Sequence, residues 1–189
     1  MTLVAGVILV QLVSRGQPET GTAGETKIKM KNEVNSNSTR IGNLSANVPD
    51  TWTGIRPSSS MRLMEFRLGV AADDATLAIF KHIGGTIDNN LERWSGQFGY
   101  SLSDSEVNIR AENINGMQVN IISILGTYTN TMAFSDATQP KPNYRLLGAI
   151  ADTPDGLYYF KLTGPNTVIT GRLEEFTLFI QSLRYDKIG

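Results

Sequence analysis

The stretch V107-N-I-R-A-E-N-I-N-G-M-Q-V-N-I-I-S-I-L-G-T-Y-T129 decides the fold. Asn115-Gly116 tolerates the positive φ angles of a tight type I′ turn, so the runs on either side read as the arms of a hairpin, Val107–Ile114 and Met117–Thr129. On the second arm Met117, Val119, Ile121 and Leu125 alternate with Gln118, Asn120, Ile122 and Ile124. Both faces turn apolar near the middle, which predicts a central strand covered on both sides. Gly126 is the expected site of a bulge.

Outward from this hairpin, Tyr144–Ala151 and Leu157–Thr163 read as two further strands joined by Asp152-Thr153-Pro154-Asp155-Gly156. An irregular connection, 130–143, leads into them and carries Pro140-Lys141-Pro142. The chain then closes on an amphipathic helix over Thr167–Leu183, where Ile169, Leu173, Phe176, Ile180 and Leu183 share one face and Asn166 is the expected N-cap. Upstream, Leu44–Val48, Met61–Leu68 and Thr76–Ile83 are strand candidates at period two. In the last of these Leu77, Ile79 and Ile83 are expected on one face, with Ala78, Phe80 and His82 on the other. A first helix is expected over Ile87–Phe98, with Ile87, Leu91, Trp94 and Phe98 on one face, Thr86 as N-cap and Gly99 as the stop. Strands punctuated by two helices predict an α+β fold: an antiparallel sheet of six to seven strands with two amphipathic helices packed on it.

The chain has 189 residues, enough for one well-buried core with a tail; 40% are apolar and 19% charged, as in an ordinary globular domain. A net charge of -1 gives no surface for nucleic acid. The absence of Cys excludes disulfides, thiolate metal sites and a Cys nucleophile. Residues before Asn43 carry five basic and three acidic side chains, a mildly basic arm on a mildly acidic body. Within that arm, residues 1–13 hold an apolar segment: Leu3, Val4, Val7, Ile8, Leu9, Val10, Leu12 and Val13. It is shorter than the roughly 20 residues a membrane-crossing helix needs. Three roles fit: a signal-like or anchoring segment, a partner-bound or lipid-dipping arm, or a buried element of the fold. Residues 14–43, rich in Gly, Thr, Ser, Asn and Lys, read as a flexible linker, and 44–189 as the globular domain.

From Leu44 to Arg184 the chain resembles the PsbP/Mog1-like domains. The features that carry the resemblance are the opening Val48-Pro49-Asp50-Thr51-Trp52, the order of strands, helix and double hairpin, and the closing Gly156-Leu157-Tyr158-Tyr159-Phe160-Lys161-Leu162 followed by a helix ending on Phe179-Ile180-Gln181-Ser182-Leu183. It is also similar to uncharacterised bacterial exported lipoproteins of the same pattern, although it lacks their lipid-bearing Cys. The resemblance implies a non-catalytic module. PsbP-type proteins sit on the lumenal face of a photosystem, and Mog1-type proteins bind a small GTPase. Neither set of functional residues has a counterpart here.

Residues suited to chemistry are few. His82 is the sole His and has only Asp73 and Asp74 as carboxylates near it in sequence, so no metal site is expected. Asp152–Gly156 lacks the alternating oxygen ligands and distal Glu of a calcium loop and reads as a turn. Ser58-Ser59-Ser60 lacks the flanking glycines of a nucleophile elbow. Glu174-Glu175 are adjacent on a helix, do not face each other and read as a solvated face. No catalytic residue and no cofactor is expected. Tyr144, Arg145, Tyr158 and Tyr159, with Pro140 and Pro142, are the expected partner-contact residues, since Tyr and Arg are enriched at interfaces. The reading is an accessory or structural subunit of an extracytoplasmic, membrane-associated complex. It would contact protein subunits through the domain and the membrane surface through residues 1–13. The alternatives are a free periplasmic module for a small ligand or metal, and a hydrolase using His82.

Overall fold

Residues 38–69, 75–129 and 139–186 are described by a computed structural model of the chain. The Asn115-Gly116 turn is present, with φ of 50° and 86°, and joins β6 (Val107–Ile114) to β7 (Met117–Tyr128). Next come β8 (Lys141–Thr153), which begins within the expected irregular connection, and β9 (Gly156–Pro165). Earlier in the chain lie β3 (Trp52–Ile55), β4 (Arg62–Leu68) and β5 (Ala75–Lys81). These seven form one antiparallel sheet in the order β3-β4-β5-β9-β8-β7-β6. β7 is buried on both faces through Ile121 and Ile122, as its composition predicts, but it lies next to the edge; β9 holds the centre. The pairing of β7 with β8 shifts register between Gly126 and Tyr128, which is the bulge expected at Gly126.

Three strands were not expected, β3 among them. Another, β1 (Ser38–Ile41), forms a hairpin with the expected strand β2 (Leu44–Asn47), so strand structure starts inside the stretch that composition assigned to the linker. Ile41 is fully buried, and with Leu44 and Ala46 it anchors the hairpin in the core. The third, β10 (Arg184–Tyr185), adds to β2 and completes a three-stranded sheet.

The first helix, α1 (Ile87–Gly96), is capped as its sequence predicts. Thr86 accepts the Asn89 amide at 3.2 Å, and Asn89 answers through the Thr86 amide in a capping box. Gly99, with φ of 76°, follows its end. The closing helix is broken in two: α2 (Asn166–Thr170) and α3 (Leu173–Gln181), separated at Gly171-Arg172. Asn166 does not cap α2; Pro165 holds that position, and Asn166 Oδ1 instead accepts from Arg145 Nε at 2.8 Å and Thr170 Oγ1 at 3.1 Å. The break places Glu174 and Glu175 in the first turn of α3, where carboxylates suit the helix dipole.

The sheet's two faces are covered differently. α2, α3 and the small sheet cover one, burying Trp52, Phe66, Leu77, Ile79, Tyr158, Phe160, Leu162, Phe176 and Phe179 together. α1 covers the other through Leu91, Trp94 and Phe98 on Ile122, Ile124, Leu146, Ile150 and Tyr159. Its ten residues span about 15 Å, whereas seven strands span roughly 28 Å. Ile83, expected beside Leu77 and Ile79, packs with the α1 cluster, because β5 ends at Lys81 and His82 turns the chain with a φ of 59°.

Candidate functional site

Alternation along β9 sends Tyr158, Phe160 and Leu162 to the α2/α3 face and Tyr159 to the α1 face, so Lys161 also belongs on the α1 face. There it pairs across the sheet with Gly148 and Ala78. Lys161 Nζ donates to Gln97 Oε1 at the C-terminus of α1 and stands 5.6 Å from the ring centroid of Tyr128. Phe98, with its ring 5.4 Å away, and Tyr144, stacked at 6.1 Å, hold Tyr128 in place. No carboxylate among the described residues pairs with Lys161. Burial of the ammonium, helped by the positive charges of Arg93 and Arg62, pushes its pKa down to about 7. The same enclosure raises the Tyr128 phenol above its ordinary range.

Glu65 is the acid of this face. It is 5% exposed and sits opposite Ala78, one strand beyond Lys161 in the same row. Its carboxylate accepts the Ser58 amide at 2.8 Å and Arg62 at 2.5 Å. Burial acts to raise its pKa, but the Ser58 amide and Arg62 outweigh that and leave it below the usual carboxylate value. Glu65 is therefore satisfied locally and does not neutralise Lys161. An amine that titrates near neutrality can act as a base or a nucleophile. Here its polar partner is an amide and a ring stands beside it, so the contact ties the C-terminal end of α1 to the sheet.

At one end of the sheet, Asp155 organises the turn between β8 and β9. It accepts from Lys81 Nζ at 2.6 Å, Thr153 Oγ1 at 2.6 Å and Asn43 Nδ2 at 2.5 Å. Burial opposes ionisation, but the hydrogen bond from Lys81 and those from Thr153 and Asn43 bring its pKa down to about 2. Asn43 also donates its amide N–H to Tyr158 Oη at 3.0 Å, so this network latches the β1-β2 turn to the main sheet. Among the described residues no group of three or more His, Asp or Glu side chains could hold a metal ion; His82 is exposed where β5 ends.

A groove of ≈ 540 Å³ runs between residues 47–50 and α3, lined in part by Val48, Pro49, Glu175, Leu178 and Phe179. The Pro-x-x-Trp segment begins on its wall with Pro49 and Asp50, and Trp52 behind it holds Phe179 and Glu175. The Trp52 amide closes a turn onto the Pro49 carbonyl at 3.0 Å, its ring packs 5.0 Å from that of Phe179, and its Nε1 donates to Glu175 Oε2 at 2.8 Å. Thr51 and Arg172 donate to the same carboxylate. Burial acts to raise the Glu175 pKa, but the Trp52, Arg172 and Thr51 hydrogen bonds lower it overall. On the groove's rim Leu178 is 57% exposed.

The residues expected to contact a partner are dispersed. Tyr158 and Tyr159 are buried, on opposite faces of the sheet, and present no surface. Tyr144 is half-buried against Tyr128, and Arg145 is half-buried, donating to Asn166 and, at 3.1 Å, to Ser123. Pro140 and Pro142 are exposed at the start of β8. Residues 3–13 lie outside the described residues. Lys161, Glu65, Gln97 and the Trp52–Glu175 pair were not foreseen. The one signal for Lys161 was a charged residue between Tyr159 and Thr163 on a strand face otherwise reading as core.

The domain is thus of the α+β class, an antiparallel sheet with helices on both faces. Among solved structures the chain is similar to the solution structure of cyanobacterial PsbP (CyanoP) from Synechocystis sp. PCC 6803, with 13% identity and a TM-score of 0.48 over 76% of this chain and 86% of that one. No family model matches the chain. No curated protein matches it either. Among the described residues no helix is long and apolar enough to cross a membrane.

Proposed function

We propose that the protein is a non-catalytic accessory subunit of an extracytoplasmic, membrane-associated protein complex, docking through the groove beside α3. The observation that carries this reading is the groove itself, with Leu178 57% exposed on its rim beside Val48 and Pro49. An exposed Leu178 continuous with the apolar lining of Val48, Pro49 and Phe179 suits a protein contact. The buried and half-buried acids support the non-catalytic part: Glu175 at the groove, and Glu65 and Asp155 elsewhere, each have protein hydrogen-bond donors that favour the ionised form, the opposite of a carboxyl poised for proton transfer. The resemblance of residues 44–184 makes a photosynthetic membrane the first host to test.

The test is native electrophoresis of gently solubilised host membranes that contain either the tagged full chain or its Leu178→Glu variant. The wild type is expected to co-migrate stoichiometrically with a membrane complex, and the variant, folded by circular dichroism, to leave it. Migration of the wild type as a free monomer, or equal co-migration of both, would overturn the proposal. The groove's volume also lies within the range of small-molecule sites, about 300–1,000 Å³. Free migration together with thermal stabilisation by a small ligand would favour the periplasmic binding module instead.

A further inference from the structure

Strand β6 forms one end of the large sheet, and among the described residues nothing pairs with its outer edge. The hairpin closes on Ile114 opposite Met117, so Ile114, Glu112, Arg110 and Asn108 exchange hydrogen bonds with β7. The peptide groups of the alternate residues, Ile109, Ala111 and Asn113, therefore point outward. Natural edge strands are usually guarded by a short run, a proline, a bulge or charged side chains. The opposite edge, β3, is short, with four residues. β6 is eight residues long, has no proline and pairs with β7 without a register shift, which leaves its charges as the one guard to weigh. Ile109 is 38% exposed on it.

Its only charges are Arg110 and Glu112, of opposite sign, and they bracket Ala111. Both stand on the same face of the strand, where Arg110 Nε donates to Glu112 Oε1 at 2.7 Å. An antiparallel partner with the same sequence, placed with Ala111 opposite Ala111, uses the outward peptide groups of Ala111 and pairs Ile109 with Asn113 on either side. It also sets each Arg110 opposite the Glu112 of the second copy, in the pair geometry where side chains approach closest. A guest strand of another sequence would meet one cation and one anion without this register. We propose that β6 is a homodimer interface, in which a second copy of this chain adds edge to edge across a two-fold axis and extends the sheet through both copies.

The experiment is light scattering of the purified full chain across a concentration series, with native mass spectrometry of mixtures. The wild type is expected to dimerise. Ala111→Pro removes an outward N–H that β6 does not use within the monomer, so it is expected to abolish dimers while keeping the monomer's circular dichroism. Arg110→Glu alone and Glu112→Arg alone each set like charges across the axis and are expected to weaken self-association about tenfold. Mixed together, these two variants are expected to form the heterodimer in preference to either homodimer, a readout that a merely destabilised fold cannot give. A wild type that stays monomeric at the highest concentration, or dimers indifferent to all three substitutions, would overturn the proposal. It is independent of the docking groove, which lies beside α3 and residues 47–50.

Discussion

The two faces of the large sheet differ in what seals them. On one, two helices and a three-stranded sheet cover a continuous apolar layer in which Phe160, Phe179, Leu77 and Ile79 have no exposed surface. On the other, a single ten-residue helix stops short of the sheet's width, and the row beyond it holds Glu65 and Lys161. The contrast teaches that cover decides where charge can live. Where the cover is complete, a charged side chain would carry the full cost of desolvation, and the charged groups on that face, Lys81, Arg145 and Glu175, are half-buried and each has a hydrogen-bond partner. Where it ends, Glu65 and Lys161 lie within the sheet row itself and have their pKa values moved in the same direction by different causes, hydrogen bonds that outweigh burial for Glu65 and burial itself for Lys161.

The largest effect expected is on the sealed face. Phe179→Ala removes the ring that touches both Trp52 and Phe160 and leaves a cavity with little freedom to collapse; chemical denaturation should show a loss of about 3–5 kcal/mol. A loss below 1 kcal/mol would mean this face is less rigid than its burial implies. A smaller effect is expected under α1. The added methyl of Gly148→Ala would run into the Trp94 ring and lie 2.7 Å from Ile122 Cγ2, lifting α1 from the sheet at a cost of about 1–3 kcal/mol. Its signature should be a change in Trp94 fluorescence, read in a Trp52→Phe background, whereas Phe179→Ala disturbs Trp52 and should leave Trp94 and α1 in place.

The smallest effect at neutral pH, and the sharpest test of the half-covered face, is the titration of Lys161. Burial brings its folded pKa to about 7, below the 10.5 of the free side chain. Between those values the unfolded chain holds a proton that the folded chain has released, so the contribution of Lys161 to stability rises with pH across that window and is flat below it. Lys161→Met keeps the stem and removes the titration. Its melting temperature is expected to lose the wild type's rise between pH 7 and pH 10, even though Gln97 gives up a donor. An identical rise in the variant would assign that pH dependence to other groups.

Much of this molecule was legible along the chain. The β6-β7 hairpin follows from Asn115-Gly116, the start of α1 from Thr86, the bulge from Gly126, and the α+β class from the order of periodic segments. These are local properties: backbone conformations that few residues adopt, and periods of two or 3.6 that show within a dozen residues. Other features depend on partners far away in sequence. Trp52 bonds to Glu175, 123 residues on, and Lys161 to Gln97, 64 residues back. β10, with only two residues, exists because β2 accepts it. Tyr158 and Tyr159 looked like contact residues because alternation gives a side chain's face but not what covers it. Periodicity and turn residues along the chain were enough to set the long strands, α1 and the fold class. Which faces are sealed, which charges are enclosed and where a groove opens beside α3 came only with folding, because burial and electrostatics depend on distances between residues remote in sequence.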